Sequence, residues 1–146
     1  MARIEAKVEI EAPMEKVFDY VADVAETHAE FFHFVQKVEA TSELKQGPGA
    51  TFRYEAKSGG VKSWFENKVT KYVKNELMEW KSIAGMRNEG RWTFGPTEKG
   101  TQVTFLMDYE LPGSYLGKVL DKLFVERQNK NDVNQSLQRL KAILEG

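Results

Sequence analysis

Histidine is the side chain whose charge changes most readily near neutral pH, and this chain of 146 residues contains two of them. His28 shares one side of a helical pattern with Ala25 and Phe32, and His33 follows five positions later. That spacing does not bring two histidines to one helical face as a metal pair, and no cysteine is present to complete a metal site. We therefore predict no metal site and interpret both histidines as structural or surface residues, with His28 a candidate for acid–base work only in an enzyme.

Glu66 is the carboxylate to consider as a general acid. Most other acidic residues fall on outward positions of the predicted strands, whereas the adjacent Trp64 and Phe65 predict a β-bulge, because both faces of one strand cannot belong to the core. Such a bulge would turn Glu66 inward among aromatic rings, where a carboxyl group tends to keep its proton. The alternative is that Glu66 faces solvent. Ser63 and Ser82 have no evident base, so nucleophilic catalysis is not supported.

The composition is that of a folded globular protein. Hydrophobic residues make up 41% and charged residues 29%, with a formal net charge of −1 and both signs mixed along the chain. No basic stripe is present, so we expect no nucleic-acid partner, and no motif predicts a cofactor. The first ten residues alternate like a strand rather than a signal peptide, and no apolar run approaches a membrane span. We predict a single cytoplasmic domain, residues 1–146, without an integral membrane segment.

The spacing of hydrophobic residues distinguishes predicted strands from predicted helices in the chain before the final helix. Residues 4–10 alternate between apolar and charged and predict a half-buried strand. Pro13 and the apolar stripe after it predict a short helix, and a second begins near Val24. From Phe34 the period is two for about eighty residues, and turn clusters such as 58–60 divide this region into six predicted strands joined by short hairpins.

Residues 115–145 predict a long helix around which the other elements are organised. Apolar residues at spacings of three and four form two groups, 116–124 and 133–144, and the pattern places Arg127 and Asn131 between them on the same face. Polar side chains would not be buried there without partners. The middle of the helix therefore either lines a cavity or, alternatively, Arg127 and Asn131 face water.

Short connections among the six strands predict an antiparallel meander, whose apolar face must be covered by another element. The final helix is the only predicted element long enough to cover it. The sequence thus predicts an α+β fold, with a curved seven-stranded antiparallel sheet around a long C-terminal helix and two short helices after the first strand. A sheet wrapped around one helix leaves room for a ligand cavity.

Several motifs occur in a recognisable order. They are residues 10–20 (IEAPMEKVFDY), 48–52 (PGATF), 66–70 (ENKVT), 90–94 (GRWTF) and 100–105 (GTQVTF). Together they resemble the START-like (SRPBCC) superfamily, in particular its polyketide cyclase/dehydrase and lipid-transport branch. The resemblance implies the helix-grip fold, with a deep pocket that holds lipids, sterols, polyketides, quinones or plant hormones in different members. A minority catalyse cyclisation or dehydration, but no catalytic motif of the family is matched here.

The predicted ligand-binding residues are those that face inward in the assumed strand and helix registers. Gln36, Ser63 and Ser82 share these inward registers, and the set would orient a largely apolar molecule with one or two polar groups. The alternative is that the aromatic rings pack on one another and leave no large void. The set comprises Phe52, Tyr54, Phe65, Asn67, Trp80, Trp92, Phe94, Phe105, Met107, Tyr109, Leu120, Arg127 and Asn131.

Antiparallel connectivity puts three loops, 58–60, 85–88 and 112–115, at one end of the sheet. Met86, Tyr115 and Leu116 are apolar residues in or beside these loops, where water would normally select polar ones. We predict that they form the mouth of the cavity. Alternatively, Tyr115 and Leu116 only seat the start of the long helix.

Three functional hypotheses follow. The first is a non-enzymatic binder or carrier of a hydrophobic small molecule, such as a lipid, isoprenoid or polyketide-like compound. The second is a cyclase or dehydratase that works mainly by positioning its substrate, with Glu66, Tyr54, Arg127 and His28 as the residues to mutate. The third is an interaction module with a filled core, whose apolar rim docks a protein. The pattern of the final helix suits either a monomer or a homodimer.

Overall fold

The computed structural model describes residues 1–111 and 122–146. The first strand is followed by two short helices, then by six strands and the C-terminal helix. The elements are β1 (Ala2–Ile10), α1 (Met14–Ala22), α2 (Val24–Phe31), β2 (Val35–Ala40), β3 (Thr51–Ser58), β4 (Val61–Val73), β5 (Leu77–Gly85), β6 (Asn88–Pro96), β7 (Thr101–Tyr109) and α3 (Lys122–Glu145).

The strands form one antiparallel sheet in the order β1-β7-β6-β5-β4-β3-β2. Strands β3 to β7 are joined by short turns, and β2 is joined to β3 by the longer segment 41–50, so that each strand lies beside the next. Strand β1 pairs with β7 and forms the other edge of the sheet. Helix α3 packs against β1 and α2. The α+β helix-grip fold predicted above is therefore confirmed.

Period-two alternation decides which side chains face the inside of the sheet. In β1, Ile4, Ala6, Val8 and Ile10 are buried while the intervening positions face outward. On the inner face, Phe18 of α1 packs edge-on against Tyr72 and Phe94, with ring centres 5.3 and 5.1 Å apart. The inner face thus contributes both to a packed core under α1 and to a second region beneath α2 and α3.

The predicted bulge at Trp64 and Phe65 is wrong. The β3–β4 register is continuous across both residues, so Phe65 faces inward and Trp64 faces outward. Trp64 is stabilised there by Arg53, whose guanidinium carbon lies 4.3 Å from the centre of the indole ring. Glu66 consequently alternates with the inward Phe65 and Asn67 and does not enter the interior.

One other inward assignment, that of Gln36, fails because of local register. The β2–β3 pairing shifts between Val35 and Lys37, which leaves Gln36 exposed. The β4–β5 pairing also shifts, between Glu66 and Asn67, but Ser82 still pairs with the inward Asn67 and so keeps its predicted inward position, partly buried. No glycine or proline within β2 or β3 marks the irregularity at Gln36.

The predicted phase of the long helix is confirmed for the second apolar group, where Val133, Leu137, Leu140 and Leu144 are buried, but it is wrong for the first half of the described part. There Val125 is buried, whereas Leu123 and Phe124 are 54% and 61% exposed. Successive helical residues rotate by about 100°, so Arg127 and Asn131 fall on the side opposite Val125 and are exposed. The sequence pattern had given Leu123 and Phe124 the same weight as the residues that are buried.

Candidate functional site

A cavity of about 110 Å³ lies between the inner face of the sheet and helices α2 and α3. Aromatic and aliphatic side chains form most of its wall, with a few neutral polar groups. Its described lining is Ile4, Val24, His28, Phe32, Phe34, Val35, Phe52, Tyr54, Ala56, Ser58, Ser63, Phe65, Asn67, Val69, Met78, Trp80, Met86, Asn88, Trp92, Phe105, Met107, Tyr109, Asn129, Asp132 and Val133.

The structure brings most of the predicted ligand-binding residues to this cavity. Phe94 lies instead under α1, and Arg127 and Asn131 lie on the outer side of α3, so these three do not line it. Leu120 of this set lies outside the described residues. The predicted residues that do line the cavity are Phe52, Tyr54, Phe65, Asn67, Trp80, Trp92, Phe105, Met107 and Tyr109.

The predicted mouth is only partly described. Met86 lines the cavity at the end of the sheet where Ser58 also lies. Its backbone N–H donates to the Trp64 carbonyl over 3.0 Å, which holds the β5–β6 connection against β4. Tyr115 and Leu116 lie outside the described residues, so the mouth stays a prediction.

His28 and Tyr54 form a buried hydrogen-bonded pair in the cavity wall. The Nε2 atom of His28 is 2.8 Å from the Val21 carbonyl, which can only accept, so Nε2 carries the proton. Nδ1 is therefore an acceptor, and the Tyr54 hydroxyl donates to it over 2.8 Å. The Tyr54 ring stacks on Phe65 with a centre-to-centre distance of 4.9 Å. Both partners are thus held in one orientation.

Burial shifts both groups away from neutral pH. Loss of water lowers the pKa of His28 to about 4, although its hydrogen bond to the Val21 carbonyl acts in the opposite direction. Burial also raises the pKa of the Tyr54 hydroxyl well above its ordinary value. A catalytic acid or base works best with a pKa near the operating pH. The pair is therefore neutral at pH 7 and suited to hydrogen bonding rather than to proton transfer.

Asn67 and Asn88 form a second polar feature, and Asn88 was missed by the sequence analysis. The Asn88 side chain accepts a hydrogen bond from Trp80 Nε1 over 2.8 Å and donates to Asn67 Oδ1 over 3.1 Å and to the Met86 carbonyl over 3.0 Å. Its position at the start of β6, where the chain leaves the 85–88 loop, was the available signal. The side chains of Asn67, Asn88 and Trp80 all line the cavity.

Helix α3 contributes Asn129 and Asp132 rather than the predicted Arg127 and Asn131. The Ser58 hydroxyl lies 2.7 Å from Asp132 Oδ2 and 3.2 Å from Asn129 Oδ1, and the Asn129 amide donates to the Tyr109 hydroxyl over 2.8 Å. Asn129 is four residues from both Val125 and Val133, so counting from the buried valines would have found it. These bonds connect α3 to β3 and β7 at the edge of the cavity.

His33 contacts the same part of helix α3. Its Nε2 atom is 3.2 Å from Asp132 Oδ1, and its Nδ1 atom is 3.3 Å from the Ser136 hydroxyl. Across residues 1–111 and 122–146, no group of three or more histidine, aspartate or glutamate side chains is arranged to hold a metal ion. His33 therefore contacts α3 through hydrogen bonds to Asp132 and Ser136.

The fold and the mostly apolar interior define a helix-grip protein. The sequence matches the family described as polyketide cyclase / dehydrase and lipid transport over residues 1–145. The chain belongs to this family, which confirms the resemblance noted from its motifs. No functionally curated protein matches the sequence.

Solved structures share the fold over nearly the whole chain. The protein TTHA0849 from Thermus thermophilus superposes with a TM-score of 0.82 at 24% identity, covering 97% of this chain and 96% of that one. A START superfamily protein from Mycobacterium smegmatis gives 0.77 at 14% identity, covering 99% and 98%. The Zhui aromatase/cyclase from a Streptomyces species gives 0.76 at 18% identity, covering 98% and 93%. At these identities the similarity shows the fold alone.

The helices of the described ranges lack the character of membrane spans. None of them combines the length and the apolar composition needed to cross a membrane. Helix α3, the longest of them at 24 residues, carries charged side chains distributed from Lys122 to Glu145.

Proposed function

We propose that this protein binds a hydrophobic small molecule between the sheet and helix α3 and acts as a carrier or binding protein. The observation that carries the proposal is the chemistry of the cavity wall. Its described lining is dominated by aromatic and aliphatic side chains, contains no lysine or arginine, and has Asp132 at its edge as the single carboxylate. Covering the apolar surface of a ligand with such a wall is favourable, whereas transferring a charged ligand group from water into it is unfavourable.

The His28–Tyr54 pair supports binding over acid–base chemistry. Both groups are buried and hydrogen-bonded to protein partners, and both are neutral at pH 7. Of the four residues proposed for an enzymatic mechanism, Glu66 and Arg127 lie away from the cavity. The remaining two can orient a ligand but are not set to exchange protons with it.

The first test is native mass spectrometry of the protein purified from its own host, followed by organic extraction of any bound compound. We expect a stoichiometric apolar molecule, such as a lipid, isoprenoid or polyketide-like compound. A clean apo mass, with no uptake from a panel of lipids and quinones, would contradict the proposal. It would favour a protein-interaction module instead.

Filling the cavity with a side chain should prevent binding. Ala56 is 5% exposed, lines the cavity and lies opposite Ser63 on β4. We expect Ala56→Phe to weaken binding of the neutral fluorescent probe N-phenyl-1-naphthylamine by about tenfold or more, because overpacking a site costs roughly 1–3 kcal/mol and 1.4 kcal/mol is a factor of ten. Fluorescence titration measures the effect.

Glu55→Phe is the matched control, because Glu55 precedes Ala56 on the same strand and points to the outer face. We expect its affinity for the probe to equal that of the wild type. Equal binding by the Ala56→Phe variant would show that the probe does not enter this cavity.

A second candidate is a cyclase or dehydratase that acts mainly by positioning. The family description includes such enzymes, and the Streptomyces aromatase/cyclase shares the fold. A cavity walled by aromatic rings can hold a flexible substrate in a reactive conformation with few ionisable groups. Product formation from a poly-β-ketone, reduced in Tyr54→Phe, would favour this candidate over the carrier. The cytoplasmic location and the choice between monomer and homodimer also remain proposals.

A further inference from the structure

The orientation of two side-chain amides in the cavity wall follows from one indole nitrogen. Trp80 Nε1 can only donate, and it lies 2.8 Å from the Asn88 side chain, so the atom facing it must be the amide oxygen of Asn88. The amide nitrogen of Asn88 then faces the Met86 carbonyl at 3.0 Å and the Asn67 side chain at 3.1 Å. Both hydrogen atoms of that nitrogen are used.

This arrangement fixes the direction of Asn67 in turn. Asn67 must present its oxygen to Asn88, so its NH₂ group lies at the other end of the amide. The NH₂ group donates to no described residue, although Asn67 is only 8% exposed and lines the cavity. The Nδ2 atom is not sealed by protein, so this donor faces the space of the cavity, where a ligand can reach it. The free NH₂ group therefore indicates that an oxygen atom of a ligand belongs next to it.

Tyr54 offers the complementary group on the neighbouring strand. Its proton is committed to His28 Nδ1, so the hydroxyl oxygen can act toward a ligand only as an acceptor. Asn67 is paired with Phe52, and Tyr54 is paired with Phe65. Tyr54 and Asn67 are thus diagonal cross-strand neighbours, whose α-carbons are about 7–8 Å apart in such sheets. The cavity wall therefore carries a donor of fixed orientation at Asn67 and an acceptor of fixed orientation at Tyr54 on the neighbouring strand.

The charge of the cavity decides what kind of oxygen fits. No lysine or arginine is part of its described lining, and Asp132 would repel an anion. A carboxylate or phosphate would lose its hydration without gaining a cation. A ketone, ester or quinone oxygen can accept a hydrogen bond from an Asn67 N–H group without that cost.

We propose that the cavity selects a neutral, carbonyl-bearing apolar molecule and that Asn67 donates to its carbonyl oxygen. This inference rests on the proposed binding function and adds the chemical class of the ligand. Trp80 and Asn88 act as positioning residues that hold the Asn67 amide with its NH₂ group toward the ligand.

Three naphthalenes of similar size test the proposal. They are 2-acetylnaphthalene, a neutral ketone; 2-ethylnaphthalene, which lacks the oxygen; and 2-naphthoate, an anion at pH 7.5. Isothermal titration calorimetry with the purified protein gives the three dissociation constants. We expect the ketone to bind about fivefold more tightly than the hydrocarbon, the factor for one net hydrogen bond, and the anion to bind most weakly.

Asn67→Leu should remove the preference for the ketone and leave the affinity for 2-ethylnaphthalene within about twofold. Asn131→Leu is the matched control, because the same substitution is made on the exposed side of α3; it should keep the preference. Asn67→Leu leaves one Asn88 N–H without its acceptor, so Asn67→Asp serves as a second variant. It keeps an oxygen for Asn88 and removes the NH₂ donor, and it should also lose the preference.

The outcomes separate the two proposals. If the wild type binds the ketone and the hydrocarbon equally, or binds the anion most tightly, the inference about Asn67 is overturned while the binding function stands. If none of the three binds, both are overturned. Retention of the ketone preference in folded Asn67→Leu and Asn67→Asp would also reject the role of Asn67.

Discussion

Replacing Trp92 with alanine is expected to lower the free energy of unfolding by about 3–5 kcal/mol. Trp92 lies on β6 between Met78 of β5 and Phe105 of β7 and is only 1% exposed. Its ring centre is 4.7 Å from that of Phe105 and 5.8 Å from that of Phe32. Removing the ring would leave a void between the sheet and α2 that close-packed neighbours cannot fill without strain.

Urea unfolding followed by circular dichroism measures this loss. Trp64→Ala is the matched control, because Trp64 is the same residue type but lies 43% exposed on the outer face beneath Arg53. We expect the control to cost about 1 kcal/mol or less, the value of an exposed cation–π contact. Similar losses for the two variants would contradict the packing described for Trp92.

The stability of the protein should fall as the pH is lowered from about 6.5 to 4 because of His28. The pKa of His28 is lowered from 6.5 to about 4 in the folded state by burial. Between these values the unfolded chain binds one proton more than the folded chain, so acid favours unfolding. Keeping His28 neutral contributes about 3 kcal/mol to the free energy of unfolding. This contribution is fully present above pH 6.5 and is lost as the pH falls through 4.

A comparison with His28→Gln separates this effect from that of the carboxylates, which titrate in both proteins. Glutamine can still donate to the Val21 carbonyl but does not take up a proton. We expect the variant to be less stable at pH 7, and its difference from the wild type to shrink as the pH approaches 4. Unfolding free energies measured at several pH values test this. A constant difference across the range would mean that His28 does not resist protonation in the folded protein.

Most residues on the inner face of the sheet could be predicted from the sequence. Alternation is a local property of extended backbone, so Phe52 and Tyr54 on β3, Phe65 and Asn67 on β4, and Phe105 on β7 could be assigned one face without knowledge of the fold. The motifs at 10–20 and 48–52 reflect turns and core positions that the family shares. They predicted the fold correctly, and the family match agrees with them.

The first half of α3 could not be assigned in the same way, although the buried residues from Val133 to Leu144 were predicted correctly. Apolar residues can occur on more than one face of a helix, and the exposed Leu123 and Phe124 lie on a different face from the buried Val125 and Val133. Only packing against β1 and α2 selects the buried stripe, and with it Asn129 and Asp132. Arg127 and Asn131 were therefore misplaced by an otherwise correct helical pattern.

By itself, the sequence determined the order of the strands and helices, the inward set of most strands and the family, because turns and alternation depend on neighbours in the chain. The tertiary structure decided which inward residues meet. It placed Phe94 under α1, joined His28 to Tyr54, and linked Trp80 through Asn88 to Asn67. These contacts join residues on different elements, whose separation and angle arise only when the sheet curves and the helices pack onto it.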